Sequence, residues 1–354
     1  MRLRFARGRR DDLQTLHPAY FALVMATGIV SIAARLHGLA LVPTALFWLN
    51  AVFLAGLVSA TGVRIVRFPD AVAADIRSHS RGVGFFTMVA AIAVFGTQCL
   101  LLGATGAAFV FWVAALALWV VITYGVLAAL MVKPDKPALA EGLNGGWLVI
   151  VVAAQSVAIL TVLVSSAAAI AAEQRALLMF VALVLWLGGA ALYLGIMTLI
   201  FLRYMFASMA PEDLTPPYWI NMGAVAISTL AGATLAEHAA VSPVISEIVL
   251  FVKEGALFFW AIATLWIPML LVLGVWRYLI RGVPLSYDPL YWGGVFPLGM
   301  YCVATWHLTR ILDVPFLVPL SQVFLVLALA AWAAAFVGLL DSRLNRLPRA
   351  QAAD

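Results

Sequence analysis

The 354-residue chain is 65% hydrophobic and only 10% charged, with a formal net charge of +5. Soluble domains average roughly 45–50% apolar and about 25% charged residues, so this composition excludes a soluble, disordered or coiled-coil protein. It predicts a polytopic membrane protein, in which the two distant cysteines, Cys99 and Cys302, are core residues and form no disulfide framework or zinc cluster.

Long charge-free stretches predict the transmembrane helices. A helix that crosses the hydrocarbon needs roughly 20 mostly apolar residues, with a lower limit of about 17. The stretches of that length without Asp, Glu, Lys, Arg or His are residues 18–34, 38–63, 82–132, 142–172, 176–202, 214–236, 255–276, 289–306 and 314–340. The third is too long for one crossing, and the segment Gly103-Ala104-Thr105-Gly106 breaks it. The pattern therefore predicts an all-α protein with ten transmembrane helices, and it lacks the alternation of a β-barrel.

The basic residues predict the orientation. With a cytoplasmic N-terminus, 17 of the 21 Lys and Arg residues lie on the cytoplasmic side. The four on the other side are Arg35, Arg175, Lys253 and Arg310. This bias explains the basic charge as a topology signal, predicts two cytoplasmic termini and argues against nucleic-acid binding. The Arg-rich start could also be a signal peptide, but its apolar run is too long, which favours a retained first helix.

The domain organisation follows from the same pattern. Residues 1–16 are predicted to be a basic cytoplasmic segment, residues 17–340 one transmembrane domain, and residues 341–354 a cytoplasmic tail. The usage of 18 Arg against 3 Lys is typical of a GC-rich bacterial genome, so we expect the inner membrane of a bacterium.

Regular spacing indicates an internal repeat. The odd-numbered helices begin near His17, Gly82, Gly145, Trp219 and Pro289, and all run in the same direction. Repeats of this kind are related by an axis along the membrane normal, so five parallel hairpins can close into a ring. Each start combines Gly or Pro with an aromatic residue, which suits close packing at the interface but also an ordinary aromatic belt.

Enzyme motifs are absent from the sequence, and the five histidines show no metal-ligand spacing, so no catalytic residue, metal or cofactor is predicted. Charged residues also avoid the middle of every span. Those near the helix ends, His17, His307 and Arg310, are candidates for a vestibule that attracts anions, although such residues often only reach the interface.

A buried pathway would then need hydroxyl and amide groups. The candidates for pore lining are Thr27, Gln155, Ser228, Thr229 and Thr305. Apart from Thr305, they lie about ten residues into their helices, or roughly 15 Å deep. The alternative for each hydroxyl is a bond to the carbonyl four residues earlier.

Phe296-Pro297 is the sharpest local feature. Proline kinks a helix, and Gly293, Gly294 and Gly299 allow the backbone to bend there. A large apolar ring at such a bend can close a pore by excluding water, whereas the ordinary interpretation is a core phenylalanine beside a kink.

Two segments carry a family resemblance. The run His17-Pro-Ala-Tyr-Phe-Ala-Leu-Val-Met-Ala-Thr27-Gly28-Ile-Val-Ser31, together with Trp292-Gly-Gly-Val-Phe296-Pro-Leu-Gly299, resembles the tellurite-resistance/dicarboxylate transporter family. That family includes the plant slow-type anion channels, the yeast malate carriers and the fungal sulfite exporters.

The resemblance implies a ring of five helical hairpins around a narrow central pore, assembled as a homotrimer with one pore per subunit. It implies that Phe296 is the pore gate and that Gly28, in the first-helix motif, contributes to helix flexibility. The implied substrates are chloride, nitrate, C4-dicarboxylates such as malate, sulfite and tellurite. The chain departs from the plant pattern at Gly293-Gly294-Val295, where bulkier residues are common, so plant selectivity is not carried over.

The leading hypothesis is a Phe-gated anion channel or uniporter-like carrier, whose expected partners are a small anion and membrane lipid. The alternative is a proton-coupled C4-dicarboxylate or sulfite carrier, which needs a titratable group such as His17 or His307 on the path. An intramembrane enzyme is disfavoured, because no paired catalytic groups are present.

Overall fold

A computed structural model describes residues 13–344, and within them every regular element is a helix. Most of the predicted basic segment and most of the predicted tail lie outside the described residues. The ten long helices are α1 (Ala22–Leu36), α2 (Val42–Arg67), α3 (Phe86–Leu101), α4 (Thr105–Met131), α5 (Val149–Ala167), α6 (Ala172–Phe206), α7 (Ile220–Glu237), α8 (Val249–Val275), α9 (Trp292–Leu312) and α10 (Val318–Leu344).

The chain is a multi-pass membrane protein. In residues 13–344, nine helical segments are long and apolar enough to cross a bilayer. The long helix outside this set is α9, which has 21 residues but contains Pro297, His307 and Arg310. These residues lower the mean hydropathy of α9 without shortening the helix. α9 contacts α1, α7, α8 and α10, so it packs within the bundle like the other long helices.

The predicted break in the 51-residue apolar stretch is confirmed. α3 ends at Leu101 and α4 begins at Thr105, with Gly103 between them at a φ of +81°. Only glycine adopts this left-handed conformation at little cost, so Gly103 reverses the chain between two helices that then pack together.

Odd and even helices differ in burial. In the spans that contain α1, α3, α5 and α7, 78–94% of the residues are buried, against 22–39% in the five even-numbered spans. In α9, 15 of the 21 residues are buried. The even helices instead expose large apolar side chains such as Val121, Leu265 and Val326. This is the surface expected of helices that face lipid.

The odd helices form a closed ring. α1 contacts α3, α3 contacts α5, α5 contacts α7, α7 contacts α9, and α9 contacts α1 again. Each even helix packs on the odd helix that precedes it and also contacts the next odd helix around the ring. The outer helices thus lie over the grooves between successive inner helices.

The similar starts of the odd helices have a structural counterpart. A single turn of 3-10 helix precedes each of them, at Pro18–Phe21, Gly82–Phe85, Gly145–Leu148, Pro216–Trp219 and Pro289–Tyr291. These turns contact one another in the same cyclic order as the helices that follow. We call this end of the bundle the 3-10 end.

Interhelical hydrogen bonds connect each outer helix to the next inner helix. In four cases a tryptophan Nε1 is the donor, and in the fifth an asparagine amide is. The pairs are Trp112 to Thr161 Oγ1 (2.9 Å), Trp186 to Ser228 O (2.9 Å), Trp260 to Thr305 Oγ1 (2.9 Å), Trp332 to Thr27 Oγ1 (3.0 Å) and Asn50 Nδ2 to Gln98 Oε1 (2.7 Å). Lipid offers these donors no partner, so each bond fixes one helix against its neighbour.

A buried ion cluster fixes the segment before α1. Asp75, in the short helix Pro69–Ile76, accepts hydrogen bonds from Arg64 Nη2 at 2.7 Å and from Arg81 Nε at 2.5 Å. Arg64 also donates to the backbone oxygen of Gln14, and Arg81 to that of Leu16. The cluster therefore connects the N-terminal segment to α2 and to the start of the second hairpin.

Candidate functional site

The turn of α9 around Phe296 is held between two inner helices. Pro297 packs against α7, where a Cβ added to Gly223 would lie 2.7 Å from Pro297 Cγ. Gly299 packs against α1, because a Cβ added to Gly299 would lie 2.9 Å from Ile29 Cγ2 of that helix. Both contacts require glycine, because a Cβ at either position would overlap a side chain of the neighbouring helix. Phe296 itself is only 1% exposed.

The other glycines of the motif have different surroundings. A Cβ at Gly28 would lie 2.5 Å from Val94 of α3, so this glycine allows close packing of α1 on α3. A Cβ at Gly293 or Gly294 would meet its nearest atom at 3.8 or 3.9 Å. Packing does not require glycine at these two positions, and their role in helix flexibility stays a prediction.

Each of the five predicted pore-lining residues makes a hydrogen bond within the helical framework, and only Gln155 among them also has a buried atom without a partner, its Oε1. Thr27 and Thr305 accept the tryptophan bonds described above. Ser228 and Thr229 each donate to the carbonyl four residues earlier, at 2.8 and 3.0 Å. Gln155 donates to Trp186 O of α6 at 3.0 Å. The structure does not bring the five side chains together, and contact with a permeating ion stays a prediction for each.

Ser156 is a polar residue of the ring that the sequence pattern did not single out. Ser156 is 3% exposed, and its Oγ is buried without a hydrogen-bond partner. Most buried hydroxyls do have a partner, so this one is a candidate to contact a solute. Its position beside Gln155 in a charge-free helix is the only sequence signal, because its orientation depends on the neighbouring helices.

The far end of the ring carries a charged cluster. His307 Nδ1 of α9 lies 2.9 Å from Glu237 Oε2, at the end of α7, and Arg310 Nε lies 3.9 Å from Glu237 Oε1. The predicted positive vestibule thus contains a carboxylate that sequence analysis did not include. A carboxylate at the C-terminus of a helix is unfavourable next to the negative end of the helix dipole. The position of Glu237 at the end of α7 was therefore a sequence signal that this carboxylate has cationic partners.

His17 lies at the opposite end from His307 and Arg310, just before the first 3-10 turn. Its Nδ1 accepts a hydrogen bond from the Ala19 N–H at 3.0 Å, which caps that turn. Burial, and after it the charge of Arg81, lowers the pKa of His17 to about 4. His17 is therefore neutral at physiological pH, and the three predicted vestibule residues form no single site.

Comparison with known proteins identifies the family. The profile described as SLAC1, voltage-dependent anion channel, matches residues 15–340. The chain belongs to this family of anion channels. It is a channel or transporter family and not one of enzymes. The match covers the whole described ring, including the turn around Phe296, and confirms the family resemblance seen in the sequence.

Individual relatives agree with this assignment. An uncharacterized transporter of Methanocaldococcus jannaschii is 22% identical over 84% of this chain and 84% of its own length. A second uncharacterized transporter of that organism is 21% identical over 83% of this chain and 84% of its own length. An uncharacterized membrane protein of Mycobacterium tuberculosis is 37% identical over 42% of this chain and 75% of its own length.

Proposed function

We propose that the protein is a passive anion channel or uniporter-like carrier with its pathway along the axis of the inner ring and Phe296 as the gate. The orientation of Phe296 carries this proposal. Successive residues of an α-helix are turned by about 100°. Pro297 faces α7 and Gly299 faces α1, while Leu298 lines a cavity on the outer side of α9. The remaining direction, that of Phe296, is the ring interior.

Further residues of α9 extend this face. Met300, Val303 and His307 follow Phe296 at helical spacing, so the face runs from the apolar gate to the charged cluster with Glu237. In α5, Gln155 points to α6 and Leu160 contacts Gly96 of α3, which leaves Ser156 toward the interior. A pathway with weak polar groups and no fixed charge at mid-depth allows an anion to leave as well as to bind.

Topology supports the membrane orientation. We propose that all ten long helices span the bilayer, that the 3-10 end is cytoplasmic and that both termini lie there. The four basic residues assigned to the non-cytoplasmic side, Arg35, Arg175, Lys253 and Arg310, lie near the ends of α1, α6, α8 and α9 that are far from the 3-10 end. Their position supports this orientation. We place the protein in a bacterial inner membrane, as a homotrimer by resemblance to the family.

The substrate proposal is a set of small anions, namely chloride, nitrate, sulfite, C4-dicarboxylates such as malate, and tellurite. The test is a flux panel with these anions in liposomes that hold the purified protein under a set membrane potential. We expect fluxes that follow the electrochemical gradient and persist with an uncoupler. Fluxes no faster than in protein-free liposomes would contradict the channel, and collapse with the uncoupler would favour the proton-coupled carrier.

The alternative carrier through His17 predicts a different pH dependence from the channel. Because the pKa of His17 is about 4, this histidine does not change charge near neutral pH. We expect His17→Asn, which keeps an acceptor for the Ala19 N–H, to leave the pH profile of malate flux unchanged between about pH 6 and 8. Flux assays in pH-clamped liposomes measure this. If His17→Asn flattened the pH profile of malate flux while His307→Asn left that profile unchanged, the result would instead support proton coupling through His17.

The charged cluster at the far end predicts an effect of Glu237. Removal of its negative charge, beside a pathway for anions, changes the local potential by roughly 0.4–1 kcal/mol per unit charge. We expect Glu237→Gln to raise chloride flux about two- to fivefold at low ionic strength and less at high salt. The control is Glu247→Gln, an exposed carboxylate in the short helix Pro243–Glu247. Equal changes in both variants would contradict a specific role for Glu237.

A further inference from the structure

A cavity separates the fourth and fifth hairpins near the 3-10 end. It has a volume of about 420 Å³ and lies between the last turns of α8, the first turns of α9, the last turns of α10 and the segment before α7. This size falls in the range of small-molecule sites. It is distinct from the ring interior, because its wall includes Leu298, on the opposite side of α9 from Phe296.

The lining is amphipathic. Leu270, Leu273, Leu298 and Ala331 form apolar walls at the deeper end. At the 3-10 end the lining is polar, with Arg277, Tyr278, Tyr287, Tyr291, Ser286 and Thr215. The lining contains no carboxylate, and nearby Asp288 already caps the turn Pro289–Tyr291. The cavity thus combines a hydrocarbon-like interior with a cationic end at the level of the membrane interface.

Arg277 has donor capacity left over. Its Nη1 donates to the backbone oxygens of Pro211 and Leu214, and its Nε is buried, while its Nη2 makes no hydrogen bond to the described residues and keeps accessible surface. Such a donor favours an anionic acceptor, and phosphate, like carboxylate, matches the two-pronged geometry of a guanidinium. The residue sits in a π-helical turn, Trp276–Ile280, that follows α8. π-Helical turns are rare and occur frequently at functional sites.

We propose that this cavity binds one anionic phospholipid of the membrane leaflet at the 3-10 end. One acyl chain occupies the apolar part, between α8 and α10, and the phosphate accepts from Arg277 and from the hydroxyls of the polar end. Charge complementarity selects this occupant over a zwitterionic lipid and over the chain's own basic C-terminal segment, which contains Arg346 and Arg349. The proposal concerns a second site and does not depend on the anion pathway.

A cavity-filling variant tests the site. Gly274 lines the cavity, and a Cβ added there meets no atom within 4 Å, so Gly274→Leu fills the space without displacing the fold. The matched control is Gly195→Leu in α6, where an added Cβ also meets no atom within 4 Å. Native mass spectrometry of the purified full chain, titrated with phosphatidylglycerol or phosphatidylcholine, measures the lipid retained per chain.

We expect the unaltered protein and Gly195→Leu to retain one phosphatidylglycerol per chain about tenfold more strongly than phosphatidylcholine, as one charge-assisted contact allows. Gly274→Leu should lose that lipid. Arg277→Gln should abolish the preference between the headgroups. If this variant does not fold, Tyr278→Phe and Gly274→Leu still report on the two ends of the cavity. Equal retention of both lipids by the unaltered protein, or equal retention by the two glycine variants, would overturn the proposal.

Discussion

Replacement of Phe296 by alanine is expected to raise anion flux at least about tenfold, because each 1.4 kcal/mol removed from a barrier accelerates passage tenfold. The Phe296 side chain is 1% exposed. In this turn of α9, Pro297 packs on α7, Gly299 packs on α1 and Leu298 lines the outer cavity, and Phe296 lies on the remaining face. If Phe296 closes the proposed pathway, its removal leaves a wider, more easily hydrated constriction. Chloride efflux from liposomes and single-channel conductance in planar bilayers both measure this.

Phe259→Ala is the matched control for the gate. Phe259 is also a buried phenylalanine, 5% exposed, but it lies in the outer helix α8 and packs against Trp186. Both substitutions remove a buried aromatic ring and should lower stability by a similar amount, roughly 3–5 kcal/mol. Only Phe296→Ala should increase flux. An unchanged flux in folded, reconstituted Phe296→Ala protein would remove the gate from the proposal.

Asp75→Asn is expected to destabilise the fold by roughly 3–5 kcal/mol, the usual cost when one partner of a buried ion pair is removed. The Asp75 and Arg64 side chains are 10% and 4% exposed, so the arginine would keep a buried charge without its counter-ion. The melting temperature in detergent measures the effect. Asp70→Asn is the control, because Asp70 is an exposed carboxylate in the same short helix and should melt like the unaltered protein.

The same carboxylate predicts a pH dependence. Burial pushes the pKa of Asp75 upward, but hydrogen bonds from Arg81 and Arg64 outweigh it and hold the pKa below its usual range. A lowered pKa gives stability that is present above the unfolded value, near 4, and is lost as the pH falls through the folded value. The stability difference between the unaltered protein and Asp75→Asn should therefore shrink below about pH 4. A constant difference down to pH 2 would contradict this assignment.

Sequence analysis predicted the helical framework well, because the bilayer imposes strong constraints. A backbone in hydrocarbon must satisfy its own hydrogen bonds, so length and charge-free stretches indicate the helices almost directly. The break at Gly103 could be predicted because the charge-free stretch that contains it is too long for a single crossing. The spacing of the five starts suggested a repeat, and the closed cycle of contacts among α1, α3, α5, α7 and α9 agrees with it.

The candidate site was much less predictable. Whether a threonine faces an ion path or a neighbouring helix depends on how the helix is rotated about its axis. An amphipathic pattern would indicate this rotation, but a helix that is buried on all sides is apolar all round and has no such pattern. Thr27 and Thr305 illustrate this, since distant tryptophans of outer helices donate to both. The pairing of Glu237 with His307 joins residues 70 positions apart, and depth in the membrane alone could not indicate it.

The cycle of interhelical bonds also bears on biogenesis. Four of the five bonds join helices that are close in the chain, but the fifth joins Trp332 to Thr27, 305 residues apart. α1 is synthesised before the nine other long helices, yet it is among the last to gain its full set of neighbours, since both α9 and α10 must be inserted before it is enclosed. Until then α1 has an open flank in the lipid, and a chain that stops before α10 leaves the assembly unclosed.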